Sequence, residues 1–164
     1  MTETVSIVIG SESDLDLANK CADALDSLSI SNSIQVLSAH RTPGLLETHV
    51  RECESGGTKV FVAMAGLAAH LAGAVASKTV LPVIGVPGDG GPLSGMDALL
   101  STVQMPKGIP VATVAIGSAG ATNAAYLAAQ ILGVESEEVR SSLLKVREDG
   151  VEAIKESNKK LSDS

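Results

Sequence analysis

Short runs of aliphatic residues recur along the chain, and each is followed by glycine or small polar residues and then by a helix-like pattern. The runs are "VSIVIG" at 5–10, "SIQVL" at 33–37, "KVFVAM" at 59–64, "LPVIGVP" at 81–87 and "GIPVATVAI" at 108–116. Runs that are apolar throughout, without polar alternation, are typical of parallel strands buried on both faces. Parallel strands need right-handed helical crossovers, which place helices on both sides of the sheet. The sequence therefore predicts a three-layer α/β/α doubly wound domain with five or so strands.

The segments between the runs have helical spacing. Ser13 or Asp14 is expected to cap the first helix, and Pro43 is expected in the first turn of the second. Further helices are predicted at 68–77, 121–132 and 136–157. The 164 residues suit one compact core, and no linker or repeat interrupts them, so the expectation is a single domain over 1–164.

Composition excludes several classes of partner. Aromatic residues make up 1% of the chain, so the stacking platforms that grip single-stranded nucleic acid are nearly absent. The net charge of −7 opposes binding to duplex phosphates. An anionic ligand must therefore be small and held by local positive groups, and no nucleic-acid partner is expected.

The cysteines and the N-terminus favour a cytoplasmic protein. Cys21 and Cys53 form no CxxC pair and are expected to be reduced structural thiols. The first ten residues lack the pattern of a signal peptide. The long apolar stretch 60–86 is broken by glycine, histidine, lysine and proline, so no membrane span is expected.

In a doubly wound sheet, ligands bind beyond the carboxyl ends of the strands, so the tips carry the candidate site. "GSESD" at 10–14 joins a strand to a helix N-terminus, where free N–H groups and the Ser11 and Ser13 hydroxyls suit a phosphate. The alternative is that Ser13 and Asp14 only cap the helix. The segment is neither a GxGxxG fingerprint nor a P-loop.

"SAHRTP" follows the second strand and brings a hydroxyl, an imidazole and a guanidinium together. Arg41 supplies the forked cation that suits phosphate, against the alternative of an ordinary surface arginine. Ser38 is not on a GxSxG elbow, so a covalent serine mechanism is not expected. His40 is instead a candidate general acid/base, because imidazole titrates near neutral pH.

The remaining polar groups leave alternatives open. His70 in "AGLAAHL" lies at a strand tip among apolar residues, and either a site role or a satisfied structural histidine fits it. His49 is expected to be solvated on the second helix. The glycine-rich segment 88–97 is expected to be a mobile loop, either covering a pocket or simply exposed. No metal-ligand spacing accompanies the histidines, so no metal site is expected.

Several motifs in order carry a resemblance to a known family. They are "GSESD", "SAHRTP", "AGLAAHL", "LSGMDALLSTVQMPKGIPVATVAIG" and "NAAYLAAQIL". The chain resembles the N5-carboxyaminoimidazole ribonucleotide mutases of purine biosynthesis, which are similar to the catalytic subunit of phosphoribosylaminoimidazole carboxylase. The likeness runs from about Val5 to Leu132.

The resemblance implies a flavodoxin-like subunit, a homo-octamer and no cofactor. Residues 135–164 are expected to form a helix with an apolar stripe of Val139, Leu143, Val146 and Ile154. It either packs on a neighbouring subunit of the octamer or closes its own domain. A transient hand-over of the substrate from an ATP-dependent carboxylating enzyme is the expected partner interaction. The implied reaction moves a carboxylate from N5 to C4 of the ribonucleotide, with His40 as general acid/base. Further implied site residues hold the ribose phosphate, shape the floor or approach the carboxylate: Ser11, Ser13, Asp14, Ser38, Ala39, Arg41, Ala65, Gly66, His70 and Leu71.

Two departures from the family pattern leave an alternative open. Met64, Leu67 and Ala72 stand where family members commonly have Gly, Gly and Pro, which is expected to alter the volume of a CO2 chamber. The segment "GVPGDGGPLSG" also differs from the usual "GVPV.S..L.G". A related class uses free CO2 and aminoimidazole ribonucleotide directly, so a carboxylase is the alternative function; a ribonucleotide-binding module without activity is a remote one.

Overall fold

The structure is a computed structural model that describes residues 3–162; the ends of the expected 1–164 domain lie outside the described residues. Its sheet is parallel throughout and has the strand order β2-β1-β3-β4-β5. The strands are β1 (Val5–Ile9), β2 (Asn32–Val36), β3 (Val60–Ala65), β4 (Val83–Pro87) and β5 (Ala112–Thr113). This is the flavodoxin-like doubly wound order, so the predicted fold class is confirmed.

Helices cover both faces of the sheet. They are α1 (Leu15–Ser27), α2 (Pro43–Gly56), α3 (Leu71–Ala76), α4 (Met96–Val103), α5 (Gly117–Leu132) and α6 (Glu137–Ser162), with a 3-10 turn, Glu12–Asp14, before α1. One layer contains α1, α5 and the first half of α6, and the other contains α2, α3 and α4. Alternate residues of each strand supply the two layers: Ile7 packs under α1 and α5, whereas Val8 packs under α2 and α3.

The region from 88 to 116 differs from the sequence prediction. Residues 96–103 form α4, which the abundance of glycine before it concealed; Gly95 allows the chain to enter the helix with φ +82°. The fifth strand is only two residues long, against nine predicted. Gly108, with φ +97°, and Pro110 prevent regular pairing of the first part of that run.

His49 is not solvated as expected. Its Nε2 lies 2.9 Å from the Oγ of Ser6, a fully buried residue of β1, and 3.4 Å from the Sγ of Cys53. Burial lowers the pKa of His49, and the negative charges of Glu52 and Glu3 oppose that shift. The sequence prediction was wrong because it considered only the position of His49 along α2. It took no account of the Ser6 hydroxyl in β1, which lies beneath that helix.

The last helix divides into two parts. Val139, Leu143 and Val146 pack against the core of their own domain. Ile154, which was predicted on the same apolar stripe as these residues, is 64% exposed. Val151 and Leu161, further along the helix, are also exposed. Only the first half of α6 therefore closes this domain.

Two helical glycines provide a matched test of close packing. A Cβ at Gly120 would overlap the carbonyl oxygen of Ala115, whereas a Cβ at Gly150 would meet nothing within 4 Å. We expect Gly120→Ala to lower the free energy of unfolding by about 1–3 kcal/mol, because α5 must move away from the preceding loop. Gly150→Ala should raise it by about 0.5–1 kcal/mol through helix propensity. Urea denaturation measures both values, and equal effects would contradict the packing of α5.

Candidate active site

A cavity of about 960 Å³ lies at the carboxyl edge of the sheet, at the point where β1 separates β2 from β3. This is the topological switch point, where doubly wound domains bind ligands. The structure brings all the predicted site residues to its wall: Ser11, Ser13, Asp14, Ser38, Ala39, His40, Arg41, Ala65, Gly66, His70 and Leu71.

The β1 tip turns sharply into α1. Gly10 extends the sheet by donating its N–H to the Met64 carbonyl at 3.1 Å. Ser11, not Ser13 or Asp14, caps the 3-10 turn, since its Oγ accepts the N–H of Ser13 at 3.4 Å. Asp14 occupies the N-cap position of α1 without a capping bond from its side chain. The expectation of a Ser13 or Asp14 side-chain cap was wrong, and the Asp14 carboxylate faces the cavity instead.

Asp14 is an anion in an unfavourable place. Burial raises the pKa of its carboxyl group, and a backbone hydrogen bond from Ser11 offsets this only in part. Desolvation penalises the charged form of a carboxyl group, so the free protein gains no stability from this charge at neutral pH. A polar ligand with hydroxyl donors would relieve the penalty.

The β2 tip is a turn closed by side chains. Thr42 Oγ1 accepts the Ser38 N–H at 3.0 Å and donates to the Ser38 carbonyl at 3.1 Å. Ser38 Oγ accepts the Arg41 N–H at 3.2 Å. The Arg41 guanidinium reaches across to donate to the Gly10 carbonyl at 3.0 Å. These contacts explain why Ser38 and Arg41 lie so close in sequence. Ser38 closes the turn, and Arg41 joins the β2 tip to the β1 tip.

His40 and His70 form a pair over the strand tips. His40 Nε2 lies 2.8 Å from His70 Nδ1, and the two rings are nearly perpendicular at 79°. One ring donates to the other, so a proton can be held between two imidazoles. The Ser38 hydroxyl instead accepts the Arg41 N–H, and His40 contacts His70.

Sequence reasoning missed several wall residues. Asp16, Leu17 and Lys20 lie on one face of α1, and Ser118 lies in the first turn of α5. Lys20 Nζ donates to Ser118 Oγ at 2.6 Å. The three-to-four residue spacing of Asp16 and Lys20 was a usable signal, whereas their meeting with Ser118 depends on packing between helices distant in sequence.

The glycine-rich segment also lines the cavity, through residues 88–91. Gly88 donates its N–H to the Ala65 carbonyl at 2.9 Å, and a Cβ there would lie 3.1 Å from Gly66 Cα. The start of this segment is therefore packed closely against the β3 tip rather than free of it.

The three residues named above as departing from the family pattern, Met64, Leu67 and Ala72, have different positions. Met64 is fully buried and Ala72 is 3% exposed, so both belong to the core. Leu67 lines the cavity, with φ +55° and 55% exposure. That backbone conformation suits glycine better than leucine. Of the three, Leu67 alone alters the cavity wall.

Metal-ligand clusters and long apolar helices are both absent from the described residues. Within residues 3–162, no three His, Cys, Asp or Glu side chains gather in a group that could hold a metal ion. Over the same range, no helix combines the length and apolarity that crossing a bilayer requires.

The fold and the site define a class: a flavodoxin-like domain with an imidazole pair and two cationic side chains around a cavity at its switch point. A family model described as AIR carboxylase matches residues 4–153. The chain belongs to the AIR carboxylase family, as its resemblance predicted.

Individual relatives agree over nearly the whole chain. The chain is 49% identical to N5-carboxyaminoimidazole ribonucleotide mutase of Pseudomonas aeruginosa, with 94% of both chains covered. It is 47% identical to the protein of the same name from Bacillus subtilis, covering 98% of this chain and 99% of that one. The crystal structure of Treponema denticola PurE superposes with a TM-score of 0.88 at 31% identity, covering 96% of this chain and 97% of that one.

The raised pKa of Asp14 predicts a variant that is more stable than the parent. Above pH 3.8, its ordinary pKa, the carboxylate pays a desolvation penalty in the folded state that Asn does not, so Asp14→Asn should raise the free energy of unfolding near pH 7. The difference should shrink as the pH falls towards 3.8, where the folded carboxyl group is protonated.

Urea denaturation near pH 7 and near pH 4 measures both values. Asp23→Asn, an exposed substitution on the same helix, is the control and should change little at either pH. A loss of stability in Asp14→Asn at neutral pH would contradict the assignment.

Proposed function

We propose that this protein is an N5-carboxyaminoimidazole ribonucleotide mutase of purine biosynthesis. It moves the carboxylate from N5 to C4 of the ribonucleotide. The observation that carries the proposal is the pair of imidazoles, His40 and His70, held 2.8 Å apart in a cavity at the switch point. Relatives that are 49% and 47% identical over nearly the whole chain bear this name, which supports the same reaction here.

The reaction requires a group that first gives and then takes one proton. Cleavage of the N5–carboxylate bond releases CO2, and N5 takes up a proton. C4 of the aminoimidazole then attacks the CO2 to form the new carbon–carbon bond. Loss of the C4 proton restores the aromatic ring. One proton enters at N5 and one leaves from C4, so His40 returns to its starting state, and His70 holds its ring in place or shares the proton.

The wall residues divide between the parts of the substrate. Arg41 and the Ser11 and Ser13 hydroxyls bind the phosphate, and Asp14 accepts hydrogen bonds from the ribose hydroxyls. Ser38 and Ala39 form the floor beside His40. The β3 tip, with Ala65, Gly66, His70 and Leu71, lies next to the carboxylate and the transient CO2. All of these residues line one cavity, which supports the division.

The imidazole role has a direct test. We expect His40→Asn to lower kcat by at least about 100-fold, because general acid/base catalysis is worth that much or more. The equilibrium affinity for aminoimidazole ribonucleotide should change only a few-fold, since Arg41 and the β1 tip remain. Stopped-flow absorbance and isothermal titration calorimetry measure the two quantities.

His49→Asn is the matched control, since it removes an imidazole that does not line the cavity. It should keep most of the turnover. Near-normal turnover in His40→Asn would exclude this residue as the acid/base.

We also propose that the protein acts in the cytoplasm as a homo-octamer, with the second half of α6 packing on a neighbouring subunit. Exposed apolar residues support self-association: Leu93 before α4, Met96, Leu100 and Val103 along α4, and Val151, Ile154 and Leu161 on α6. Light scattering should give eight times the chain mass of 16.6 kDa. Removal of residues 150–164 should reduce the number of chains per particle. An octamer of truncated chains would contradict the role of α6.

A further inference from the structure

Two permanent cations line the cavity, and each is held by a neutral oxygen. Arg41 donates to the carbonyl of Gly10 at 3.0 Å. Lys20 donates to the hydroxyl of Ser118 at 2.6 Å. Among the described residues, no carboxylate oxygen lies within 4.0 Å of a charged nitrogen of either side chain. Both cations are therefore positioned and yet keep their charge available to a ligand.

Lys20 forms no ion pair although a carboxylate is available on the same helix. Asp16 lies one helical turn earlier on α1 and lines the same cavity, a spacing at which ion pairs form readily. Elsewhere in the protein this pairing does occur, as between Lys145 and Asp149. The Lys20 ammonium is instead directed across to α5.

The groups that hold the two cations belong to different parts of the cavity edge: Gly10 follows β1, and Ser118 lies near the segment that follows β4. Arg41 is bound to the β1 tip, on the side of β2. Ser118 follows Gly117, which lies against Asp89 after β4, since a Cβ at Gly117 would be 2.8 Å from Asp89 Oδ2. The β1 and β4 tips are two strand spacings apart, about 10 Å. That separation matches the span of a ribonucleotide from its phosphate to a substituent on its base.

We propose that Lys20, positioned by Ser118, binds the carboxylate of the substrate and makes the site selective for carboxylated over uncarboxylated aminoimidazole ribonucleotide. The inference rests on the proposed function, because it takes the phosphate to lie at Arg41. With the phosphate there and the imidazole ring beside His40 and His70, the carboxylate lies at the β3 tip and faces the β4 side of the cavity. Lys20 is the cation on that side.

Lys20 determines substrate specificity and does not accelerate the chemical step. Its ammonium binds the carboxylate both before and after transfer, so it stabilises substrate and product alike. Removing the charge should raise KM and should not lower kcat, because the carboxyl group becomes neutral CO2 during the transfer and the ammonium therefore stabilises substrate and product more than the transition state. Ser118 is a positioning residue, which acts only through the orientation of Lys20.

The experiment compares two ligands that differ by one carboxylate. Isothermal titration calorimetry measures the Kd of 4-carboxy-5-aminoimidazole ribonucleotide and of 5-aminoimidazole ribonucleotide. For Lys20→Gln we expect about a 10-fold weaker Kd for the carboxylated ligand, the scale of one charge-assisted hydrogen bond at a solvated site, and an unchanged Kd for the uncarboxylated one. Ser118→Ala should show a smaller loss with the same selectivity.

Two control variants isolate the charge. Lys20→Arg keeps a cation and should retain most of the preference for the carboxylated ligand. Lys59→Gln removes an exposed lysine next to the start of β3, at the opposite edge of the sheet, and should change neither Kd. Unchanged binding of the uncarboxylated ligand shows that each variant is folded.

The possible outcomes separate this inference from the proposed function. Equal weakening for both ligands would place Lys20 at the phosphate and overturn the inference, and so would no change for either. If the wild type converts the N5-carboxylated substrate in either of those cases, the mutase function stands without this role for Lys20. If carboxylate selectivity depends on Lys20 but the wild type converts nothing, the inference stands and the mutase function fails.

Discussion

The parallel pairing of β1 with both β2 and β3 is the constraint on which the site depends. Ile7 is opposite Ile34 on one side and Val62 on the other, so the three strands end on one edge. The ladder continues beyond the strands, where Leu37 donates to Ile9 and Gly10 donates to Met64. His40 and His70 are carried by the segments that follow these strands, and a shift in either register would separate their rings.

Close approach of backbone to backbone shapes the rest of the cavity. Gly88 lies against Gly66, and Gly117 lies against Asp89, at distances that leave little or no room for a Cβ. A chain with 1% aromatic residues builds its walls from such contacts and not from large side chains. The polar groups that remain are few, and most of them already hold one another: Arg41 holds Gly10, Lys20 holds Ser118, and His40 holds His70. Binding groups positioned in advance lose less conformational entropy when a ligand arrives.

Much of the fold and the core of the site follow from the sequence. Unbroken Val and Ile runs specify buried parallel strands, and the switch-point rule then selects the tips at Gly10, Ser38 and Ala65 as walls of one cavity. The failures arise where the decisive partner is distant in sequence. Periodicity on α2 could not reveal that Ser6 of β1 would draw His49 inwards, and α1 alone could not indicate that Lys20 meets Ser118. Glycine-rich composition before residue 96 concealed α4, because local propensity there opposes a helix that packing against β4 stabilises.

The central claim is that this cavity transfers a carboxylate already attached to the substrate. Ultraviolet absorbance of the purified protein tests it with two substrates in parallel: the N5-carboxylated ribonucleotide, and aminoimidazole ribonucleotide with bicarbonate at physiological concentration. The account predicts rapid conversion of the first and little of the second. Efficient conversion of aminoimidazole ribonucleotide with bicarbonate, and none of the N5-carboxylated substrate, would contradict it.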